Sequence, residues 1–268
     1  MHTAGFKDHF SGVADAYAAA RPEYPDALFD AIAACVPRSA NVWEPGCGSG
    51  QATHGLAARF AHVHASDPSA QQLAHHWAQH LLSGTGTGSG NVVLAVEPGE
   101  RTDLPDASVG LVAVAQALHW FDRPRFFAEC ERVLAPGGVL AAWGYADFVP
   151  PEGMVDAVAA FRAQIEPHWP PERVQVDTHY AGYEWPFEYA GPGLAAADRW
   201  IEAEWSLAQF LRYLASMSAS ARCLDETGDD PVARHAAALS AAWGDSSDLR
   251  TLQWPLFLHL RRKSAQPL

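Results

Sequence analysis

Short apolar runs alternate with helix-like segments between residues 26 and 143. Leu28, Ile32 and Cys35 recur three or four positions apart, which predicts an amphipathic helix over 26–36. The predicted strands are short and apolar, and they cover 41–43, 62–66, 92–96, 109–115 and 139–143. Helices are predicted at 51–60, 70–82 and 125–134, the last closed by the sequence Pro136-Gly137-Gly138. Strands that alternate with helices in this way form parallel βαβ units, so the pattern predicts an open, doubly wound sheet.

The second half of the chain has a less regular pattern. Residues 148–195 are rich in proline, glycine and aromatic side chains, which favours a cap over a further βαβ unit. Beyond this segment we predict a strand at 199–205, helices at 207–216 and 232–243, and a last strand at 252–260.

Composition narrows the classes of function. Apolar residues make up 49% of the 268 residues, enough for a large core, and the formal net charge is −13. An acidic surface repels phosphate backbones, so no nucleic-acid partner is expected. The chain has no apolar run of 18 residues and no secretory leader pattern, and its four cysteines are scattered. We therefore expect no membrane partner, a reduced cytoplasmic protein and a monomer or homodimer.

Two glycine-rich loops are candidates for ligand binding, and they differ in context. The loop at 84–90 lies between a helix and a strand, and its composition is typical of a flexible connector. The loop at 44–50, Glu-Pro-Gly-Cys-Gly-Ser-Gly, follows the first strand and precedes a helix. There a ligand can approach the glycine backbone and the free N–H groups of the helix start.

The spacing around this second loop selects among ligands. A dinucleotide site needs Gly-x-Gly-x-x-Gly, but the last position is Gln51 or Thr53 in the two registers. A hydrolase elbow, Gly-x-Ser-x-Gly, fails because residue 47 is cysteine. Asp67 ends the second strand, where a carboxylate can accept hydrogen bonds from both ribose hydroxyls. A ribose without a pyrophosphate points to S-adenosylmethionine.

Several motifs in order along the chain resemble one family. They are Tyr17-x-x-x-Arg21-Pro22-x-Tyr24-Pro25, the loop from Glu44 to Thr53, Ser66-Asp67-Pro68-Ser69, Gly99-Glu100, Gln116-Ala-Leu-His119-Trp120-Phe121-Asp122, Val133-Leu-Ala-Pro-Gly-Gly138 and Trp254-Pro255-Leu256. Together they resemble the class I S-adenosylmethionine-dependent methyltransferases, in particular the trans-aconitate methyltransferase-like branch (methyltransferase type 11).

The resemblance implies a fold and a domain organisation. The expected fold is α/β, a doubly wound, Rossmann-like, seven-stranded, mostly parallel sheet with an N-terminal and an inserted helical cap. One domain would span 1–268, with its core at about 41–147 and 197–262 and its cap from 1–40 and about 148–235.

The resemblance also implies roles for single residues. The positions that match cofactor-binding residues are Glu44, Gly46, Cys47, Gly48, Gly50, Asp67, Pro68, Glu100, Arg101 and Gln116. The glycines would lie against the methionine part of S-adenosylmethionine, and Glu100 beside the adenine. Tyr17 and Arg21 match a lid motif over the site. His119 and Trp120 would line the adjoining wall.

The sequence departs from the family pattern at three places. The glycine-rich loop at 84–90 resembles an insertion relative to the compact family pattern. Gly110 replaces an aspartate before the fourth strand, a change that affects stability more than chemistry. Residues 217–220 replace a more aromatic run in the cap, which leaves the methyl acceptor open.

Simpler interpretations exist for four of these residues. Asp67 could cap the next helix, Glu100 could be a solvated loop charge, and Arg21 could be a surface arginine. His119 could be a general base, a hydrogen-bond donor to an acceptor carboxylate, or a packed core histidine.

A second set of histidines suggests a metal, but the spacing argues against one. His75, His76 and His80 share a predicted helix without a carboxylate or cysteine in register, so we predict a solvated helix face and no metal.

The expected activity is methyl transfer from S-adenosylmethionine to a small-molecule carboxylate or other oxygen, with S-adenosylhomocysteine as the product. Two alternatives are methylation of carbon or nitrogen on a small ring compound, and a protein that binds S-adenosylmethionine without catalysis. A carboxylate is ionised at neutral pH and needs no strong base, whereas a hydroxyl or amine would need one.

Overall fold

An eight-stranded sheet runs through the centre of the molecule. The computed structural model describes residues 21–82, 90–191 and 193–265, the side chains of 77–82 excepted. The strands are β1 (Asn41–Pro45), β2 (His62–Ser66), β3 (Val92–Ala95), β4 (Val109–Ala115), β5 (Leu134–Tyr145), β6 (Glu188–Tyr189), β7 (Trp200–Trp205) and β8 (Arg250–Arg262). Their order is β3-β2-β1-β4-β5-β8-β6, and β7 also pairs with β8. The expected α/β class and mostly parallel sheet are confirmed, and the short β6 is the strand that the pattern did not predict.

The first five strands are parallel, which fixes the position of the site. Val42 of β1 pairs with Val63 of β2 and Leu111 of β4, and β5 continues the parallel set. β8 then runs antiparallel against β5. The carboxyl ends of β1, β2 and β4 therefore meet at one edge, where ligands bind in open α/β sheets.

The helices cover both faces of this sheet. They are α1 (Asp26–Ala33), α2 (Thr53–Ala57), α3 (Ala70–Leu82), α4 (Arg123–Val133), α5 (Val155–Ile165), α6 (Arg173–Asp177), α7 (Leu207–Ala215), α8 (Ser218–Thr227) and α9 (Pro231–Trp243). Buried Trp143 belongs to the core that joins α1 and the cap helices, and buried Trp43 belongs to the core beneath α4. Large aromatic side chains bury much apolar area, so each layer has a strong anchor.

The start of β5 differs from the expectation. The helix ends at Val133, one residue before the predicted end, and the strand begins at Leu134 instead of 139 and includes Pro136, Gly137 and Gly138. A register shift between Val109 and Leu111 on β4 accommodates the irregular segment. Gly137 and Gly138 thus lie within the strand, after the helix has already ended.

The cap helices pack together, α9 lying against α5, α7 and α8. α8 was not predicted, because its buried side chains are the small residues Ala219, Ser220 and Cys223. Such a face carries no strong apolar period.

Some expectations fall outside the described residues. Tyr17 and the rest of 1–20 lie outside them, as do 83–89 of the predicted connector. Among the helices that the structure describes, none has the length and apolar character needed to cross a bilayer.

Candidate functional site

The glycine loop after β1 has the conformation that its sequence requires. Gly46, Gly48 and Gly50 all have positive φ, at 69°, 54° and 90°. A Cβ on Gly46 would lie 2.9 Å from the Ala117 Cβ, whereas a Cβ on Gly48 would have no atom within 4 Å. Gly46 therefore packs against the segment after β4, while Gly48 faces open space that a ligand can occupy.

Asp67 joins the glycine loop to the end of β2. Its Oδ2 accepts a hydrogen bond from the Gly48 N–H at 3.0 Å, and its Oδ1 accepts one from the Ser69 N–H at 2.8 Å. The Ser69 hydroxyl accepts from the Gln72 N–H at 3.3 Å, so Ser69 rather than Asp67 caps α3. A carboxylate has about four acceptor positions, so a carboxylate that accepts from backbone N–H groups can also accept from ribose hydroxyls. Pro68 lies partly buried between these two residues.

Glu44 is a fully buried carboxyl directly beneath the loop. Neither of its carboxylate oxygens, nor the hydroxyl of nearby Thr53, has a hydrogen-bond partner in the described residues. Burial raises the pKa of Glu44 to about 8; the Thr53 hydroxyl opposes this rise, and the Asp67 carboxylate adds to it. An unpartnered buried carboxyl is costly unless a ligand completes it. Cys47 is buried beside it, and burial raises the pKa of its thiol, so it is not a thiolate.

His76 corrects the prediction of a solvated histidine face on α3. Its side chain is only 7% exposed, and its ring lies 2.3 Å from where a Cβ on Gly50 would stand. The helix turns this histidine onto the glycine loop, so His76 is part of the site that the sequence reasoning missed. A histidine nearly two helical turns into α3 has no distinctive spacing, so only the packing shows its position. Within the described residues no cluster of metal-binding side chains is found, and the side chain of His80 lies outside them.

Gln116 connects the ends of β4 and β5. Its side-chain amide donates to the Tyr145 carbonyl at 3.1 Å and accepts from the Tyr145 N–H at 2.9 Å. Its backbone φ is 49°, an uncommon conformation for a residue with a side chain. Gly144 allows this arrangement, because a Cβ there would lie 2.3 Å from the Gln116 Oε1.

Glu100 and Arg101 follow β3 at the same edge of the sheet. Glu100 is half-buried, and its Oε1 accepts from the Asp122 N–H at 2.7 Å. It is therefore fixed to the start of α4 and is not a freely solvated charge. Arg101 is exposed, and both residues line an open cavity of about 560 Å³.

His119 and Trp120 form part of a 3₁₀-helix at Leu118–Trp120, directly after the segment that packs on Gly46. The two rings have centroids 4.6 Å apart. His119 Nδ1 lies 3.2 Å from the hydroxyl of Tyr180, a buried residue that the sequence reasoning did not select. Burial, with a smaller contribution from the positive charge of Arg173, lowers the pKa of His119 to about 3. His119 is therefore a neutral imidazole at physiological pH.

Arg21 belongs to the cap. Its Nη2 donates to the Ser216 carbonyl at 3.0 Å, and its guanidinium lies 5.5 Å from the centre of the Tyr213 ring. This contact argues against a solvated surface arginine. Its expected partner in the lid motif, Tyr17, is outside the described residues.

Charged groups of the cap surround the carboxyl end of β5. Asp147 pairs with Arg162 at 2.8 Å, and Arg173 pairs with Asp177 at 2.8 Å. Burial raises the pKa of Asp147, while the charges of Arg162 and Arg173 lower it. Arg173 thus contributes electrostatically to both Asp147 and His119.

The structure brings most of the predicted residues to one edge of the sheet. Glu44, the three glycines, Asp67 and Gln116 surround the end of β1, and His119 and Trp120 lie beside them. Glu100 and Arg101 are further along the edge. These residues fit a nucleoside, since open space lies over Gly48 beside Asp67, and the buried Glu44 carboxyl beneath the loop has no partner among the described residues.

Comparison with known proteins agrees with this arrangement. Residues 43–142 match the family model described as a methyltransferase domain, Methyltransf_11. A Dictyostelium discoideum protein named as a methyltransferase is 31% identical over 195 residues, which cover 68% of each chain. A structure described as a type II methyltransferase from Anaeromyxobacter dehalogenans has 37% identity and a TM-score of 0.78, covering 92% of this chain and 99% of that one.

A third relative matches over a shorter part of the chain. The malonyl-[acyl-carrier protein] O-methyltransferase of Hahella chejuensis is 34% identical over 103 residues, which are 37% of this chain and 34% of that protein. The family match, the fold and the glycine loop after β1 all indicate the same class of enzyme. The chain belongs to the methyltransferase family and is a class I S-adenosylmethionine-dependent methyltransferase.

Proposed function

We propose that this enzyme methylates an oxygen of a small molecule, and that the acceptor is a carboxylate. When bound, S-adenosylmethionine supplies a methyl group on a positively charged sulfur. The glycine loop, Asp67 and Glu100 would hold it at the carboxyl edge of the sheet. The cap would exclude water and select the acceptor.

The observation that carries the carboxylate is the set of groups around His119. His119 stays neutral because burial, and to a smaller extent the positive charge of Arg173, lowers its pKa to about 3. A general base works best with a pKa near the working pH, so His119 is poorly suited to remove a proton. The positive charge of Arg173, which also pairs with Asp177, favours an anionic acceptor beside His119. The similarity to the Hahella O-methyltransferase is consistent with oxygen as the acceptor atom.

A second candidate function is methylation of a phenol or an amine, and Asp147 favours it. Burial raises the pKa of this carboxyl, which makes it a better proton acceptor than an ordinary aspartate. Tyr213 and Tyr145 lie near it and could line a ring-shaped acceptor. If the acceptor is a carboxylate, as in the first candidate function, we propose that the enzyme belongs to the trans-aconitate methyltransferase-like branch of the family.

The first experiment tests the methyl donor by thermal shift with S-adenosylmethionine, S-adenosylhomocysteine and NAD. A ligand at 100 times its Kd adds about 2.7 kcal/mol, which is roughly 5–11 °C for a chain of this size. We expect a shift with the first two and none with NAD. In Asp67→Asn the shift should be much smaller, while the control Asp156→Asn, an exposed carboxylate on α5, should behave as wild type.

The second experiment identifies the acceptor class with S-adenosylmethionine tritiated in its methyl group. Panels of small carboxylates, phenols and amines would be incubated with the enzyme, and the products treated with alkali. A methyl ester releases volatile tritiated methanol, whereas a methyl ether or methylamine keeps its label. Release by alkali supports the carboxylate, and a stable product that Asp147→Asn abolishes supports the second candidate.

A further inference from the structure

Tyr180 is a buried tyrosine whose hydroxyl contacts His119 of the candidate acceptor site. It is 1% exposed, and its hydroxyl lies 3.2 Å from His119 Nδ1. Burial raises the pKa of Tyr180, so the phenol keeps its proton. Tyr180 follows α6, and α6 packs against the 3₁₀-helix that carries His119.

The environment of the hydroxyl decides which atom donates. A buried O–H group must find an acceptor, and leaving it unpaired is costly. His119 Nδ1 is the acceptor that the described residues place within hydrogen-bond distance. Burial raises the Tyr180 pKa, and the backbone of His119 opposes that rise. Tyr180 therefore donates and Nδ1 accepts.

This assignment fixes the other side of the imidazole. In a neutral histidine one nitrogen carries the proton and the other accepts, so an accepting Nδ1 places the proton on Nε2. His119 is partly exposed, and its Nε2 has no partner within the described part of the chain. The free end of the ring is thus an N–H group without an internal partner.

We propose that Tyr180 is a positioning residue that fixes His119 as the Nε2–H tautomer, so that His119 donates a hydrogen bond to the acceptor oxygen and does not remove a proton from it. This inference rests on the proposed function in one respect, that the acceptor binds beside His119. It deepens that function, because an enzyme without a base here requires an acceptor that arrives as an oxyanion.

A carboxylate meets this requirement, because atoms, electrons and charge all balance in its methylation. One carboxylate oxygen forms the new O–C bond with a lone pair that it already holds, and the electron pair of the broken C–S bond remains on sulfur. The anion and the sulfonium both become neutral, and no proton is released. His119 would orient the carboxylate through its second oxygen.

Three side chains among the described residues contact His119 or act on it electrostatically. Arg173 of α6 supplies a positive charge, Trp120 packs against the ring, and Tyr180 contacts Nδ1. Tyr183 stacks on Tyr180 with ring centroids 4.8 Å apart, but its hydroxyl donates to the Gln175 side chain. Tyr183 is therefore a matched control, with the same residue type in the same cluster and no bond to His119.

The test is nitrogen-15 NMR of histidine-labelled protein, recorded without donor or acceptor. Among the 13 histidines, the signals of His119 are those lost in His119→Gln. We expect an unprotonated Nδ1, a protonated Nε2 and no titration between pH 5 and 8. In Tyr180→Phe the Nδ1 signal should shift and the pKa of His119 should rise, because the hydroxyl no longer stabilises the neutral ring. In Tyr183→Phe the His119 signals should stay unchanged.

Three results would overturn the proposal: a proton on Nδ1, a His119 that titrates near the ordinary value of about 6.5, or His119 signals that Tyr180→Phe leaves unchanged. The wild-type spectrum tests the tautomer independently of the stability of the variant. Because no turnover is measured, failure here is distinct from failure to find a carboxylate acceptor in the tritium assay.

Discussion

The three glycines of the loop after β1 have similar backbone conformations and different surroundings, which allows their roles to be separated. Gly50→Ala places a Cβ 2.3 Å from the His76 ring at φ 90°. Backbone strain and overpacking each cost about 1–3 kcal/mol, so the free energy of unfolding should fall by about 2–6 kcal/mol. Urea unfolding measures this loss.

Gly48→Ala is the matched comparison, because its φ is 54° and no atom lies within 4 Å of the new Cβ. The left-handed conformation costs about 1–2 kcal/mol for alanine. We expect a mostly stable protein whose thermal shift with S-adenosylmethionine is lost, since the methyl group occupies the ligand space. A Gly48→Ala variant that binds normally would contradict the proposed position of the ligand.

Glu44 predicts a pH dependence of stability. Its pKa rises from an unfolded value of 4.5 to about 8 in the folded protein, so the folded state holds the extra proton. The stabilising effect is present in full below pH 4.5 and is lost as the pH rises to 8. The Tm of the wild type should therefore fall between pH 5 and 8.5 relative to that of Glu44→Gln, which has no carboxyl to ionise. Parallel curves of Tm against pH for the two proteins would show that the pKa of Glu44 is not raised.

Some contacts of single residues can be predicted from the sequence, and others cannot. Asp67 and Gly48 are close in the motif pattern, and the structure joins them by a hydrogen bond. The His119–Tyr180 contact spans 61 positions and the Arg21–Ser216 contact spans 195. No spacing rule predicts such contacts, because they depend on how the cap folds back over the sheet.

At the scale of elements, β4 and β5 are joined at their ends by Gln116, and Gly144 makes room for it. Gly144→Ala should displace the Gln116 amide and weaken both of its bonds to Tyr145. Overpacking of about 1–3 kcal/mol and lost hydrogen bonds of about 1 kcal/mol predict a loss of about 2–4 kcal/mol in the free energy of unfolding.

The control for this prediction is Gly182→Ala, an exposed glycine with no atom within 4 Å of the added Cβ. It should change stability by less than about 0.5 kcal/mol. Equal losses in the two variants, measured by urea unfolding, would mean that the Gln116 contact does not determine the stability of this edge.

The elements that the sequence predicts well are those with a strong apolar signal. β4 is a continuous run without polar side chains, and β2 alternates His62 and His64 with apolar Val63 and Ala65. The predicted bounds of both strands agree with the structure. α8 was missed because its buried face consists of small side chains, and β6 because two residues form no pattern. Its pairing with β8 depends on a strand more than 60 positions later in the chain.

At the scale of the whole molecule, the cap and the sheet share one aromatic cluster. Trp254 of β8 donates its indole N–H to the Tyr213 hydroxyl of α7 at 2.8 Å, and both side chains are buried. Arg21 lies over the same tyrosine ring. Three segments distant in sequence therefore depend on one another, which favours the expected single domain.

This shared cluster predicts that cap and sheet unfold together. Tyr213→Phe leaves the Trp254 N–H unpaired in the core, which costs about 1–3 kcal/mol. The control Tyr189→Phe changes a tyrosine that is 65% exposed and should have little effect. In urea, tryptophan fluorescence and circular dichroism should give one coincident transition for the wild type, and in Tyr213→Phe both should move together to lower urea. Separate transitions would mean that the cap unfolds independently of the sheet. The acceptor site would then form only when an independently folded cap closes over the edge of β4.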